Sequence, residues 1–175
     1  REHGLVWARA VGMLGTTAPV GEIRVWDQRE LVSFDFAAHA ARIHPACSGK
    51  ELELSTDWLT WRGYADDLFQ RLYGATRTLG AIAAAKAQID RLAACMPLEG
   101  GSTLLAADPL ERGLADLWTR TASHLSSEAR LQLRGAIEAV MESWLWELLN
   151  HAQHRVPDPV DYIEMRRKTF GCDLG

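Results

Sequence analysis

Between residues 50 and 73, Leu54, Trp58, Trp61, Ala65, Leu68 and Leu72 recur at steps of three and four. That spacing lines them along one side of a long α-helix, and a helix with one apolar side must bury it against other elements. The period returns in Leu79, Ile82, Lys86, Ile89 and Leu92, within an alanine-rich stretch over 76–95, and in Leu133, Ile137, Val140, Trp144 and Leu148. No stretch alternates as a half-buried strand does. The expected fold class is all-α, a helical bundle of about seven helices.

The breaks between helices are legible too. A first helix is expected over 3–12, carrying Leu5, Trp7 and Val11, with a loop from Gly12 to Gly21 around Pro19. A second covers 28–42 and ends near His44-Pro45, because the residue before proline resists the helical conformation. After the helices at 50–73 and 76–95 comes a loop from Pro97 to Asp108 containing Gly100-Gly101. Asp108-Pro109-Leu110-Glu111 then reads as a helix start, with a cap, a proline at the first position and an acid for a capping box. That helix runs to about 123. Ser126 or Ser127 caps the next, which continues to about His154 until Pro157 stops it. Asp158-Pro159 opens a last helix that ends near Gly171.

At 175 residues the chain is long enough for one domain with a core. A net charge of -4 without a basic run argues against a nucleic-acid surface. No apolar run reaches the roughly 20 residues a membrane span needs. Cys47, Cys95 and Cys172 are far apart and form no CxxC, so they read as reduced thiols of a cytoplasmic protein rather than a disulfide framework. No signal peptide is visible. The chain opens on Arg1 and stops at Gly175 in mid-phrase, and both ends read as cuts.

Three constellations could carry chemistry. Asp66-Asp67 lies off the apolar stripe, on a face shared by Leu59, Arg62, Gly63, Asp66, Gln70 and Tyr73. Adjacent carboxylates in an aromatic-rich segment repel each other and so point to a cation. Mg²⁺ suits them, because it takes carboxylate oxygens and shares its sphere with water and substrate phosphates. The alternative is a solvated helix edge. Arg166-Arg167-Lys168, closed by Gly171, is a candidate phosphate clamp, since arginine offers a planar fork of donors. The alternative is a basic last turn complementing the helix dipole. The third feature is seven tryptophans, of which Trp58, Trp61, Trp144 and Trp146 fall on the two longest helices. Their ring faces could stabilise a carbocation, or they could simply fill the core. Other clusters fail on geometry. Glu147 with His151 and His154 lacks the Glu-x-x-His spacing of a di-iron bundle. Pro157 and Pro159 interrupt the helical spacing of Asn150, His154 and Asp158.

Trp58-Leu59-Thr60-Trp61 followed by Tyr64-Ala65-Asp66-Asp67-Leu68-Phe69 resembles the aspartate-rich helix of the bacterial class I terpene cyclase family. His44-Pro45, Glu111-Arg112-Gly113-Leu114-Ala115-Asp116-Leu117-Trp118 and Ser143-Trp144-Leu145-Trp146-Glu147-Leu148 fit the same family. The most specific phrase is Val156-Pro157-Asp158-Pro159 through Met165-Arg166-Arg167-Lys168-Thr169-Phe170-Gly171. Within the family the chain looks most like the C-terminal half of the geosmin-synthase branch (germacradienol/geosmin synthases). The resemblance implies an all-α isoprenoid-synthase fold, Mg²⁺-dependent ionisation of a prenyl diphosphate such as farnesyl diphosphate, and carbocation cyclisation in an aromatic pocket. In the geosmin branch it implies conversion of the alcohol germacradienol to geosmin by a protonation-initiated step with loss of acetone. It makes Asp66 the Mg²⁺ ligand and Asp67 its hydrogen-bonding neighbour. It makes Arg167 the diphosphate sensor, with Arg166 as a possible substitute, Phe170 the linker and Gly171 the effector at a helix break.

The departures are specific. The family motif places an acid where this chain has Gln70, and Arg62 stands one turn before Asp66, where an apolar residue is expected. The Asn/Ser/Glu metal helix and the arginine–tyrosine motif expected after Arg167 do not fall within the chain. Residues 1–175 are therefore expected to be the first half of one cyclase domain, inactive alone and completed by the rest of a two-domain terpene cyclase. The alternative is a non-catalytic helical remnant or interaction module.

Overall fold

The computed structural model describes residues 2–15, 24–75, 78–99 and 106–169. Among them are eight α-helices and one π-helical segment, and the one β feature is an isolated parallel bridge between Leu14 and Trp26. The fold is all-α, as the periodicity requires. No helix among the described residues is long and apolar enough to cross a membrane. The chain divides into two compact units, Arg1–Leu68 with Leu105–Thr119, and Phe69–Leu104 with Arg120–Gly175.

The first unit holds α1 (Glu2–Ala10), α2 (Gln28–Phe34), α3 (Phe36–Ile43), α4 (Gly49–Phe69, up to Leu68) and α6 (Pro109–Ala122, up to Thr119). The single helix expected over 28–42 is two. Asp35 adopts the left-handed conformation (φ 48°, ψ 47°), closing α2 and opening α3. Aspartate enters that region more readily than most residues, so no Gly or Pro was needed to announce the break. Asp27 and Glu30 form a reciprocal capping box at the start of α2. Trp26, just before the cap, and Leu31, in the second turn, stand at the two positions of a hydrophobic staple, and both are buried.

On α4 the expected stripe is buried at Trp61, Ala65 and Leu68, but Thr60, Tyr64 and Asp57 are buried as well. Asp57 is wholly enclosed, and its Oδ2 lies 2.9 Å from His3 Nε2. Helix α6 starts as its sequence dictates: Asp108 Oδ1 accepts from Glu111 N at 2.8 Å. Glu111 Oε2 accepts from Ala107 N at 2.8 Å. Leu110, Leu114, Leu117 and Trp118 on α6 join Trp7, Met13 and Trp61 in the core. The Trp7 indole donates to Asp116 (2.7 Å) and the Trp61 indole to the Leu110 carbonyl (3.0 Å).

The second unit holds the π segment (Gln70–Gly74), α5 (Leu79–Ala94), α7 (Ser127–Ala152) and α8 (Pro159–Thr169). Helix α7 packs against α5, α8 and the π segment. Ile137, Val140, Met141, Trp144 and Leu148 of α7 are buried, as are Phe69, Ala85, Leu92 and Met96 in the same unit. The Phe69 and Trp144 rings lie 5.1 Å apart. Thr78 caps α5 and Ser126 caps α7, each accepting from the backbone three residues on. Arg134 and Arg130 on α7 donate to the carbonyls of Met96 (2.7 Å) and Leu98 (3.1 Å), which follow the end of α5. The regular helix expected through residue 73 widens at Gln70, where i→i+5 bonding replaces i→i+4. Such a change adds a residue per turn without altering residue type, so periodicity does not reveal it, and it recurs at functional sites.

Candidate functional site

Asp66 and Asp67 occupy the last turn of α4, and both are half-buried. Leu59, Arg62 and Gly63 on the same face are half-buried too, as expected for a face lining neither core nor open solvent. Consecutive residues on a helix point about 100° apart, so the two carboxylates diverge. Asp67 turns to Trp26, whose Nε1–H donates to Oδ2 at 2.6 Å. The Trp26 ring is enclosed by aromatics: Phe34 at 5.0 Å, Phe36 at 6.0 Å and Tyr64 edge-on at 5.4 Å between centroids. Gly63 makes the approach possible, since a Cβ there would lie 2.9 Å from Phe36 Cζ and 3.3 Å from Trp26 Cη2. Burial, reinforced by the Asp108 carboxylate and opposed by Arg112, pushes the Tyr64 hydroxyl up to about 12. Arg112 is itself fixed by the carbonyls of Val11 (3.0 Å) and Ala107 (2.9 Å).

No group of three or more His, Cys, Asp or Glu among the described residues is placed to hold a metal. Mg²⁺ needs fewer: it is commonly held by one or two carboxylates, with water and phosphate completing its sphere. A half-buried Asp66 beside an Asp67 whose direction is set by an indole meets that requirement from the protein side.

In the second unit, Gln70 Nε2 donates to Glu147 Oε2 and Arg166 Nη1 donates to Glu147 Oε1, both at 3.4 Å. The amide that stands where the family has an acid is thus directed at a carboxylate. Arg166 is half-buried, whereas Arg167 and Lys168 are exposed. The end of α8 is tied down by Thr169, whose hydroxyl donates to Ser143 Oγ (2.9 Å), which donates on to the Val140 carbonyl (2.6 Å). Phe170 and Gly171 lie outside the described residues. Of the tryptophans weighed as carbocation partners, Trp61 and Trp144 are core side chains. Trp58 and Trp146 are half-buried.

Two residues escaped the sequence reading. Glu147 stands in the sequence both beside His151 and His154 and within the Ser143–Leu148 phrase, and its partners prove to be Gln70 and Arg166. For Trp26 the sequence signal is its place immediately before the Asp27-x-x-Glu30 capping box.

Residues 57–175 match the family described as terpene synthase family 2, C-terminal metal binding. The chain belongs to that family. It is 28% identical over 176 residues to pentalenene synthase of Streptomyces avermitilis, covering 98% of this chain and 46% of that protein. It is 29% identical over 130 residues to 4-epi-cubebol synthase ((2E,6E)-farnesyl diphosphate cyclizing) of Streptosporangium roseum, covering 74% of this chain and 37% of that one. The crystal structure of linalool/nerolidol synthase from Streptomyces clavuligerus with 2-fluorogeranyl diphosphate shares the fold at a TM-score of 0.73 and 23% identity, over 98% of this chain and 53% of that one. The fold is that of class I terpene synthases, and the chain spans about half the length of the curated relatives it matches. None of these three is a geosmin synthase, so the geosmin-branch likeness rests on the residue phrases alone.

Proposed function

We propose that residues 1–175 form part of one class I terpene cyclase domain that works in the cytoplasm on a farnesyl-type diphosphate with Mg²⁺. The observation that carries this reading is the last turn of α4, where the family's first two acids stand half-buried and Asp67 is fixed by the Trp26 indole at 2.6 Å. Asp66 would hold the cation, and Asp67 would accept hydrogen bonds beside it. The bound Mg²⁺ would supply charge neutralisation of the departing diphosphate. Arg167, with Arg166 beside it, would bind diphosphate oxygens through guanidinium N–H groups, and Gly171 would offer its carbonyl at the helix break. Half-buried Trp58 and Trp146 are the ring faces to which developing positive charge could be exposed.

The contact between Gln70 and Glu147 favours a second reading, a helical module that retains the fold but has given up one metal ligand. The complete gene product, supplied with Mg²⁺ and either farnesyl diphosphate or germacradienol, separates the two. A terpenoid from farnesyl diphosphate supports the cyclase, and a product from germacradienol alone supports the geosmin-branch specialisation. Neither product means the cyclase reading is wrong. Asp66→Asn should abolish metal-dependent turnover, and the 175-residue chain by itself should be inactive.

A further inference from the structure

Neither the family pattern nor the sequence gives Trp26 a role, yet its surroundings are built. The backbone of Trp26 is pinned on one side by the parallel bridge to Leu14 and on the other by the capping box of Asp27 and Glu30. Its ring is 2% exposed and held by Phe34, Phe36 and Tyr64. The one polar atom of this rigid group, Nε1–H, is directed at Asp67 Oδ2 at 2.6 Å, the short range of a charge-assisted bond. A bond of that kind to the residue adjoining a metal ligand is how outer partners set a carboxylate's direction and tune affinity.

We propose that Trp26 is a positioning residue for the divalent cation. By engaging Oδ2 it keeps Asp67 from rotating into competition with Asp66 and leaves Oδ1 to accept from a water of the cation's shell. This division of labour turns two repelling acids into one ligand and one oriented acceptor. The inference rests on the reading of Asp66 as the metal ligand, and its test separates the two.

The complete gene product is titrated with Mn²⁺, a paramagnetic stand-in for Mg²⁺, in the presence of inorganic pyrophosphate, and free Mn²⁺ is followed by electron paramagnetic resonance. Wild type should bind the ion and Asp66→Asn should not. Trp26→Phe should weaken binding about tenfold, the lower end of what loss of such an outer partner costs. In the Asp67→Asn background the same change should have no further effect, because the bond acts through Asp67. Should Trp26→Phe fold poorly, benzothienylalanine at position 26 keeps the bicyclic ring, deletes the N–H and should give the same loss. Binding that depends on Asp66 but is unchanged by both replacements, or losses that add independently of Asp67, would overturn the positioning role while leaving the metal ligand in place. Binding indifferent to Asp66→Asn would overturn the reading of the site and the role of Trp26 with it.

Discussion

Gly113→Ala sets two effects of known size against each other. Gly113 sits inside α6, where alanine is better than glycine by about 1 kcal/mol on propensity alone. The added Cβ would lie 2.7 Å from Met13 Cε, 3.0 Å from Trp61 Cδ1 and 3.6 Å from Trp7 Cη2. Met13 ends in a flexible methyl, but the side chain is 2% exposed and has little room to retreat. Trp61 is equally enclosed, and its indole is tethered to the Leu110 carbonyl at 3.0 Å, so its ring cannot swing without stretching that bond. Overpacking of this kind costs about 1–3 kcal/mol and outweighs the propensity gain. The expected net is a destabilisation of about 1 kcal/mol, or a fall in Tm of about 2–4 °C for a chain of this size. Gly135 supplies the control, since it lies in α7 and a Cβ there meets nothing within 4 Å. Gly135→Ala should therefore stabilise by about 0.5–1 kcal/mol. Urea unfolding of both variants by circular dichroism decides the matter. If Gly113→Ala stabilises as Gly135→Ala does, the close approach of α6 to Trp61 and Met13 is not what keeps a glycine there.

Two further perturbations test local features. The Tyr64 hydroxyl is raised to about 12 in the folded chain, above the roughly 10 of an unfolded tyrosine. The folded state thus holds its proton more tightly, and the resulting stability is present below about pH 10 and lost as pH rises towards 12. Tyr64→Phe should flatten the alkaline limb of a stability–pH curve, and an unchanged slope would mean the hydroxyl is not enclosed. Asp35→Val should destabilise by about 1–2 kcal/mol, because a β-branched residue resists the left-handed conformation between α2 and α3, whereas Asp35→Gly should be tolerated. Thermal melts of the pair should differ in that order, and equal Tm values would refute the assignment.

Helix identity was legible wherever burial follows a single stripe, and capping chemistry pointed to Asp108 before α6 and to Ser126 or Ser127 before α7, helices that start at Pro109 and Ser127. The failures share one cause, that side-chain pattern does not encode backbone departures carried by ordinary residues. Asp35 breaks a helix without glycine or proline, and the π segment begins at a glutamine. The acids at 66 and 67 were legible as a pair, but their division was not, because it depends on an indole 41 residues away in sequence. Asp57 escaped for a similar reason: a wholly buried carboxylate needs a partner, and His3, which meets it, lies 54 residues away in sequence.

The tryptophans show how far composition could have led the functional reading astray. Seven aromatic faces in a chain of 175 residues look like a lining for a cationic intermediate. Cation–π stabilisation, however, needs an accessible face. Trp7, Trp26 and Trp61 are buried, and each spends its N–H on a protein acceptor: Asp116, Asp67 and the Leu110 carbonyl. An indole held at its polar edge and packed on its faces is a strut. It fixes the direction of whatever accepts its hydrogen, and for Trp26 that acceptor adjoins the candidate metal ligand. Trp58 stands apart, half-buried and edge-on to the Trp61 ring at 5.9 Å between centroids, so the fixed ring of Trp61 holds the more open ring of Trp58 in place. In the first unit, Trp58 is therefore the more exposed of the two tryptophans on α4, and the buried tryptophans contribute by making the surrounding walls rigid.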